Sequence, residues 1–367
     1  MAGSLRSGRR ARVALGMALT LLLAACGSSG APAASSQAPA SSSAPAQASA
    51  KPAASAGKPA ASAPASAAGA GEKVKGAWVA VGATQSPLWA AKEGGYFQAN
   101  GIEPDLTLIR GSATAAAALL SNNVGFVEMS GPGTVNATSK GADLVMIAGF
   151  VNIAIYKLDV DSSIKPIDDL KGKNLAISAV GGQDDFVLRK VLKSKGLTPD
   201  VDVHLLPTKD IPGSVAALKT HQVQGAILAE PEDVPALEAG AHELIDITGM
   251  RIPFAATGLV ATRSYLKSHH TEAVNFLKSM VQGIRRLKTD RAFTDSVMSK
   301  YLSTTDKQTL DGAWHVVTTA FEDKPYPSIP GIQEVIDEND VTGHKPDEFV
   351  DSSVMKELDD SGFFNQN

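Results

Sequence analysis

Five short stretches carry residues whose types and spacing could hold a small molecule: Gln85-Ser86, Gly111-Ser112, Ser130-Gly131, Gly182-Gln183-Asp184 and Glu230. In each, small or hydrogen-bonding residues stand where an apolar run ends and a helical pattern begins. A helix that opens there offers unpaired N–H groups and the positive end of its dipole, and small residues let a ligand approach the backbone. Ser86 suits the N-cap and Pro87 the first helical position. Trp89 and Phe150 could wall a cleft, and each equally suits a core. Motifs for catalysis are missing. The seven histidines form no H-x-x-x-H pair and no HExxH motif, so no metal site is read. There is no Gly-x-Ser-x-Gly elbow and no Gly-Lys-Ser/Thr phosphate loop, and no cofactor is expected. The acid pairs Asp168-Asp169, Asp184-Asp185 and Asp359-Asp360 read as surface caps, Asp184 excepted because it opens a helix behind Gly181-Gly182.

The elements that would position these turns alternate strand and helix. GAWVAVG, DLTLIR, VGFVEM and LVMIAGF read as strands, with helices between them, which argues for a parallel sheet in an α/β layer. After a further strand at Val151 to Val160 the βα pattern begins again through NLAISAV, VDVHLLP, Gln224 to Ala229 and HELIDI. Ala118 to Pro132 lines up without gaps on Ala217 to Pro231, so Ser130-Gly131 and Ala229-Glu230 fall at equivalent strand ends. From Thr271 the signal is purely helical, with Val274, Leu277, Val281, Ile284 and Leu287 on one face of the first helix. Helices then follow at about 291–301, 306–319, 329–338 and 352–360 and should return to the first lobe. Two lobes that present strand-end turns to one another describe a hinge-closing receptor better than an enzyme.

The N-terminus has a separate logic. Arg6, Arg9, Arg10 and Arg12 precede the apolar stretch Val13 to Leu23, which is too short to span a bilayer. Leu23-Ala24-Ala25-Cys26 resembles a bacterial lipoprotein signal, which implies cleavage before Cys26 and lipidation of its thiol. Arg9-Arg10 hints at twin-arginine export, but the general secretory route fits better. Cys26 is the single cysteine, so its lipidation would exclude disulfides, zinc thiolates and a cysteine nucleophile from the exported part. Residues 27–71 are nearly all Ala, Ser, Pro and Gly, a disordered tether of roughly 40 Å root-mean-square span. The remaining residues suffice for about two domains. A net charge of −4 without a basic, aromatic-interleaved patch argues against nucleic acid as a partner.

Taken in order, SPLWAAKEGGYFQANGIEPDL, LLSNNVGFVEMSGPGTVNATSKGADLVMIAG, IDDLKGKNLAIS, FVLRKVLKSKGL and AILAEPEDVPALEAGAHEL resemble blocks of the nitrate/sulfonate/taurine class of ABC-import substrate-binding proteins, whose relatives also bind thiamine-pathway pyrimidines. The resemblance implies an α/β, two-lobed type II periplasmic-binding fold with a helical tail, lobe I from 72–152 plus 258–367 and lobe II from 153–257. It implies a lipid-anchored, extracytoplasmic, monomeric receptor that hands a small molecule to a permease and ATPase. The matching turns Gln85-Ser86, Gly111-Ser112, Ser130-Gly131 and Gly182-Gln183-Asp184 are its expected ligand contacts. Arg110 is the one basic residue at these turns, while Asp184 and Glu230 would repel an anion, so a neutral or nitrogen-bearing ligand is favoured. Alternatives are an enzyme on the same fold, disfavoured by the missing thiol and triad, and a ligand-sensing lipoprotein without a transporter.

Overall fold

Why two series of strands form two sheets follows from where the apolar runs break. The computed structural model describes residues 71–365; the expected signal segment 1–26 with Cys26, and the tether before Gly71, lie outside the described residues. β1 (Glu72–Trp78) passes through a 3-10 turn (Ala83–Gln85) into α1 (Ser86–Glu93) and α2 (Tyr96–Ala99). Then come β2 (Ile102–Leu108), α3 (Ser112–Leu120), β3 (Phe126–Met129), α4 (Gly131–Thr138) and β4 (Leu144–Ile153). The expected strand Val151 to Val160 is broken at 154–156. β5 (Lys157–Val160) therefore opens a second series: β6 (Asn174–Ile177), α5 (Gln183–Ser194), β7 (His204–Pro207), α6 (Ile211–Lys219), β8 (Gly225–Leu228), α7 (Val234–Glu238) and β9 (His242–Asp246). β10 (Pro253–Thr262) returns to the first series, followed by α8 (Arg263–Ser268), α9 (His270–Thr289), α10 (Arg291–Leu302), α11 (Lys307–Ala320), α12 (Ile329–Glu338) and α13 (Ser353–Asp360).

The strand orders are β2-β1-β3-β10-β4 and β7-β6-β8-β5-β9. β1 is parallel to β2 and β3, and β10 runs antiparallel to β3 and β4. The second sheet repeats the pattern: β6 is parallel to β7 and β8, and β5 antiparallel to β8 and β9. The sheets are thus mixed, not parallel throughout. β10 enters the first sheet from the other lobe by a short crossover, so it runs against its neighbours. The echo between Ala118–Pro132 and Ala217–Pro231 is topological, because β3 and β8 hold the same central place. β10 lies whole in the first sheet, which a division at 257/258 would cut; the crossovers are 154–156 and 247–252.

Those crossovers are tied to one another. The Tyr156 carbonyl accepts from Ile247 N at 3.1 Å and Thr248 N at 3.0 Å, and Ala154 N donates to the Ile252 carbonyl at 2.9 Å. One buried apolar cluster runs through both lobes, and a smaller one with Val215, Leu218, Ala226 and Leu228 belongs to the second. α9 buries Ala273, Phe276, Leu277, Met280, Val281, Ile284 and Leu287, spaced by three and four so that one face meets the sheet. Phe276 stacks on Phe126 with ring centroids 4.6 Å apart and tilts against Phe97 at 4.8 Å. Gly76 on β1 leaves it room, since a Cβ there would stand 2.9 Å from the Phe276 ring. Gly283 serves α1 likewise, its absent Cβ falling 2.8 Å from Ala91 N.

The second lobe buries charge. Lys157 on β5 pairs with Glu230, with Glu243 at 3.2 Å and with Asp233 at 3.7 Å. Two residues on, Asp159 is fully buried with neither carboxyl oxygen bonded. Burial first, then Asp233, raises its pKa from 3.8 to about 7, against the pull of Lys157.

Two outcomes are expected. Phe276→Ala removes a filled aromatic site and should cost about 3–5 kcal/mol, read from the denaturant midpoint; a loss below 1 kcal/mol would be incompatible with this packing. Asp159 holds its proton more tightly folded than unfolded, so its contribution favours the fold in acid and is lost as pH rises from about 4 to about 7, with a slope of up to about 1.4 kcal/mol per pH unit. Asp159→Asn should flatten that part of the stability–pH curve and raise the melting temperature at pH 8; an unchanged curve would refute the assignment.

Candidate functional site

The turns of the first lobe are bound into one surface. Gln85 is buried, and its Oε1 accepts from Val79 N at 3.0 Å, which shapes the loop after β1. Gly111, at φ +85°, donates its N–H to the Val79 carbonyl at 3.2 Å and joins the turn after β2 to that loop. The hydroxyls of Ser112 and Ser130 lie 3.3 Å apart. Ser130 caps α4 by accepting from Gly133 N at 3.3 Å. Gly131 has no space for a side chain: a Cβ would fall 2.5 Å from the Ala255 Cβ and carbonyl oxygen. Thr257, one residue before the Gly258–Met129 pair of β10 and β3, keeps a buried hydroxyl with no partner.

Ser86 departs from expectation. The 3-10 turn runs directly into α1, so Gln85 is the cap and Ser86 is already helical. Its side chain is fully buried and its hydroxyl has no partner. The first turn of α1 is met from beneath by Glu128 of β3, whose Oε2 accepts from Leu88 N at 3.3 Å. Glu128 is fully buried and its Oε1 is unpartnered; burial holds its carboxyl well above the usual range, opposed by the Leu88 N–H.

In the second lobe Gly182 caps α5 behind Gly181 at φ +74°, and Gln183 is half-buried. Asp184 accepts from the Ser178 N–H and, at 2.8 Å, from the Ser178 hydroxyl. Asp185 accepts from Gly181 N at 2.8 Å and from Arg189 Nε at 2.6 Å. Both carboxylates thus fold the β6–α5 loop. Glu230 is turned to Lys157, with His315 Nε2 of α11 at 4.0 Å.

Between the lobes, Lys190 of α5 pairs with Glu334 of α12 at 2.6 Å. Gly312 of α11 lies against Pro231, its absent Cβ falling 3.3 Å from the Pro231 Cβ. A Cβ on Gly82, before the 3-10 turn, would stand 3.8 Å from Glu232 Oε1. Glu232 also lines a groove of about 410 Å³ with Pro212, Val215, Pro231, Asp306 and Thr309. A hollow of about 670 Å³ beside Arg285 and Phe364 lies on none of these turns. The phenol of Tyr156, at the crossover, is pushed upward by burial first, then by Asp184, Glu338 and Glu232. Glu338 has a buried, unpartnered Oε2, and burial followed by Asp184 and Asp185 raises its carboxyl to about 7. Glu232 keeps contact with solvent, yet the protein crowding round it raises its carboxyl to about 7, with Asp233 adding to the rise.

The structure therefore joins Gln85, Ser86, Gly111, Ser112, Ser130 and Gly131 on one lobe and sets Gly182, Gln183 and Asp184 at the start of α5 on the other. It removes Trp89, which stacks on Tyr301 at 4.7 Å inside the first lobe, and Phe150, which is buried in β4. Both were apolar enough to be core, and the sheet claimed them. Glu230 is spent on Lys157. Sequence reasoning missed Tyr156, Glu128, Glu232, Glu338 and Thr257. An acid inside the apolar run FVEM was a usable signal for Glu128; the others carry no such local signal. Among the described residues no group of three or more His, Cys, Asp or Glu could hold a metal ion.

Comparison with known proteins agrees with this architecture. The chain matches the profile of the NMT1/THI5-like family over residues 83–290. It is 24% identical over 241 residues to the provisionally named binding protein YtlA of Bacillus subtilis (strain 168), covering 62% of this chain and 71% of that one. The periplasmic aliphatic sulphonate binding protein SsuA of Escherichia coli superposes with a TM-score of 0.63 at 16% identity, over 76% of this chain and 92% of that one. The periplasmic nitrate-binding protein NrtA of Synechocystis PCC 6803 gives 0.60 at 15%, over 79% and 89%. At such identities the likeness establishes the fold alone, that of two-lobed periplasmic binding proteins. The family profile runs from the 3-10 turn before Ser86 to the end of α9, more than half of the chain, and the chain belongs to the NMT1/THI5-like family.

Proposed function

We propose that this chain is an extracytoplasmic receptor that closes its two lobes on a small solute and delivers it to an ABC permease and ATPase, tethered to the membrane by lipid on Cys26. The observation that carries the reading is the paired crossover at Tyr156, where the two connecting segments hydrogen-bond to one another while each lobe keeps its own sheet. Such a joint bends by small backbone rotations that leave both sheets intact. The turns at Ser86, Ser112 and Ser130 form one wall of the cleft and the start of α5 the other. Sulfonate- and nitrate-binding proteins of the same fold support the receptor reading, as does the match to a binding protein. No step of chemistry is assigned to the cleft.

Two experiments test this. A thermal-shift screen over alkanesulfonates, nitrate, pyrimidines, amines and aromatic acids should give a hit that at 100 times its Kd adds about 2.7 kcal/mol of stability. Solution scattering should show the chain contract on binding that hit, and Ser86→Trp should abolish both effects; turnover of the hit would sink the receptor reading. In cells, Cys26→Ser should move the protein from the membrane fraction to the soluble one, and retention on the membrane would sink the lipid anchor.

A further inference from the structure

The face of α9 turned away from the sheet is basic. Gln282, Arg285 and Arg286 on that face open onto the hollow of about 670 Å³, which Tyr96 of α2 and Asp323 and Lys324 after α11 help to enclose. Three cations there face one acid, and Asp323 is bonded by Lys288. Aromatic rings hold the guanidinium groups in place: Arg286 lies 3.9 Å from the Phe293 centroid and Arg285 4.6 Å from that of Phe363. Gln282 accepts from Asn100 Nδ2 at 2.7 Å through its Oε1, which leaves Nε2 as a donor in the wall of the hollow. Two of the cations also meet acids outside the lining, Arg286 with Asp290 at 3.3 Å and Lys324 with Asp359 at 2.8 Å. Partly exposed pairs of this kind are weak in water, and a phosphate that matches the guanidinium fork can compete with them.

The place of the hollow in the fold points to where such a phosphate comes from. The described residues begin at Gly71, the end of the expected tether, and Glu72 N–H donates to the Gly101 carbonyl at 2.9 Å. Asn100, the residue before Gly101, bonds Gln282 and, at 2.8 Å, the Tyr96 carbonyl. The root of the tether and the wall of the hollow are thus joined through two successive residues. A tether held at Cys26 brings this end of the first lobe within reach of the membrane surface.

From this we infer that the hollow takes the phosphate of an anionic phospholipid headgroup and seats the first lobe on the membrane. The inference rests on the lipid-anchor reading and adds to it a second, reversible contact. Basic groups gain from the negative potential of such a surface only within a Debye length, so the contact is short-ranged and sensitive to salt. The strand-end turns of the cleft contribute no residue to the hollow and stay free for a solute while the lobe is seated.

The lipidated chain, given a protease site in its tether, tests this on vesicles of phosphatidylcholine alone and of equal parts phosphatidylcholine and phosphatidylglycerol. Uncut protein that fails to stay on phosphatidylcholine vesicles would count against the anchor reading and not against the hollow. After the cut, about tenfold more of the body should stay on the mixed vesicles than on phosphatidylcholine, and about 0.5 M salt should release it. Arg286→Gln and Lys324→Gln should each lower that retention about threefold while the unfolding midpoint is kept. A second measurement needs no variant: phenylglyoxal should modify Arg285 and Arg286 more slowly on the mixed vesicles only, read by mass spectrometry. Release from both kinds of vesicle, equal retention on both, or retention indifferent to both substitutions would overturn the inference. Inorganic phosphate that protects the arginines on phosphatidylcholine, with the body released from the mixed vesicles, would overturn the lipid as occupant and leave a site for free phosphate.

Discussion

One backbone carbonyl governs how the halves of this molecule relate. Tyr156 O accepts from both Ile247 and Thr248, so the outgoing and returning crossovers share a single knot. Two separate strands of linker would let the lobes wander; a hydrogen-bonded pair restricts them to rotation about that pair. The Ala154–Ile252 bond adds a second rung and makes the joint a short ribbon. A ribbon of this kind suits the closing cleft proposed above. The side chain of the same residue points the other consequence: the phenol at the joint feels acids from both lobes, Asp184 and Glu232 on one side and Glu338 on the other.

The lobe boundary carries both like charges and an ion pair. Like charges at the lobe boundary favour separation, and the Lys190–Glu334 pair favours contact. The first lobe contributes a rigid floor, because Gln85, Gly111 and Ser130 spend their polar groups on Val79 and Gly133 rather than on solvent. The second contributes a loop stiffened by its own Asp184 and Asp185. Asp184 shows how one carboxylate serves both structure and electrostatics: its oxygens order the β6–α5 turn, yet its charge still raises Tyr156 and Glu338. Reading such a residue only as a loop tie or only as a ligand contact loses half of what it does.

What was legible in the sequence divides along the range of the interactions. α9 and the helices after it fall within a residue or two of expectation, because a helical face repeats every three or four residues and its partner is always apolar. The strand-end turns were legible for the same local reason. Trp89 and Phe150 were not, since an aromatic beside a turn suits a cleft and a core alike, and only the stacking on Tyr301 and the burial of β4 decide. Ser86 shifted from cap to first turn because a 3-10 turn before it took over the start of the helix. Glu232, Glu338 and Tyr156 come from three distant segments, and no spacing relates them.

How proteins of one fold come to differ in their ligands has a physical shape. At 15–16% identity the common strand order and apolar alternation persist, because any residues of suitable size and polarity satisfy them. The charge of a ligand depends on a handful of side chains at the turns, which that kind of likeness leaves free. Here one of them, Glu128, rises from the sheet into the start of α1 and takes the amide that makes a helix N-terminus an anion site. A single buried acid beneath a helix can therefore occupy an amide that the helix start would offer, without moving a strand.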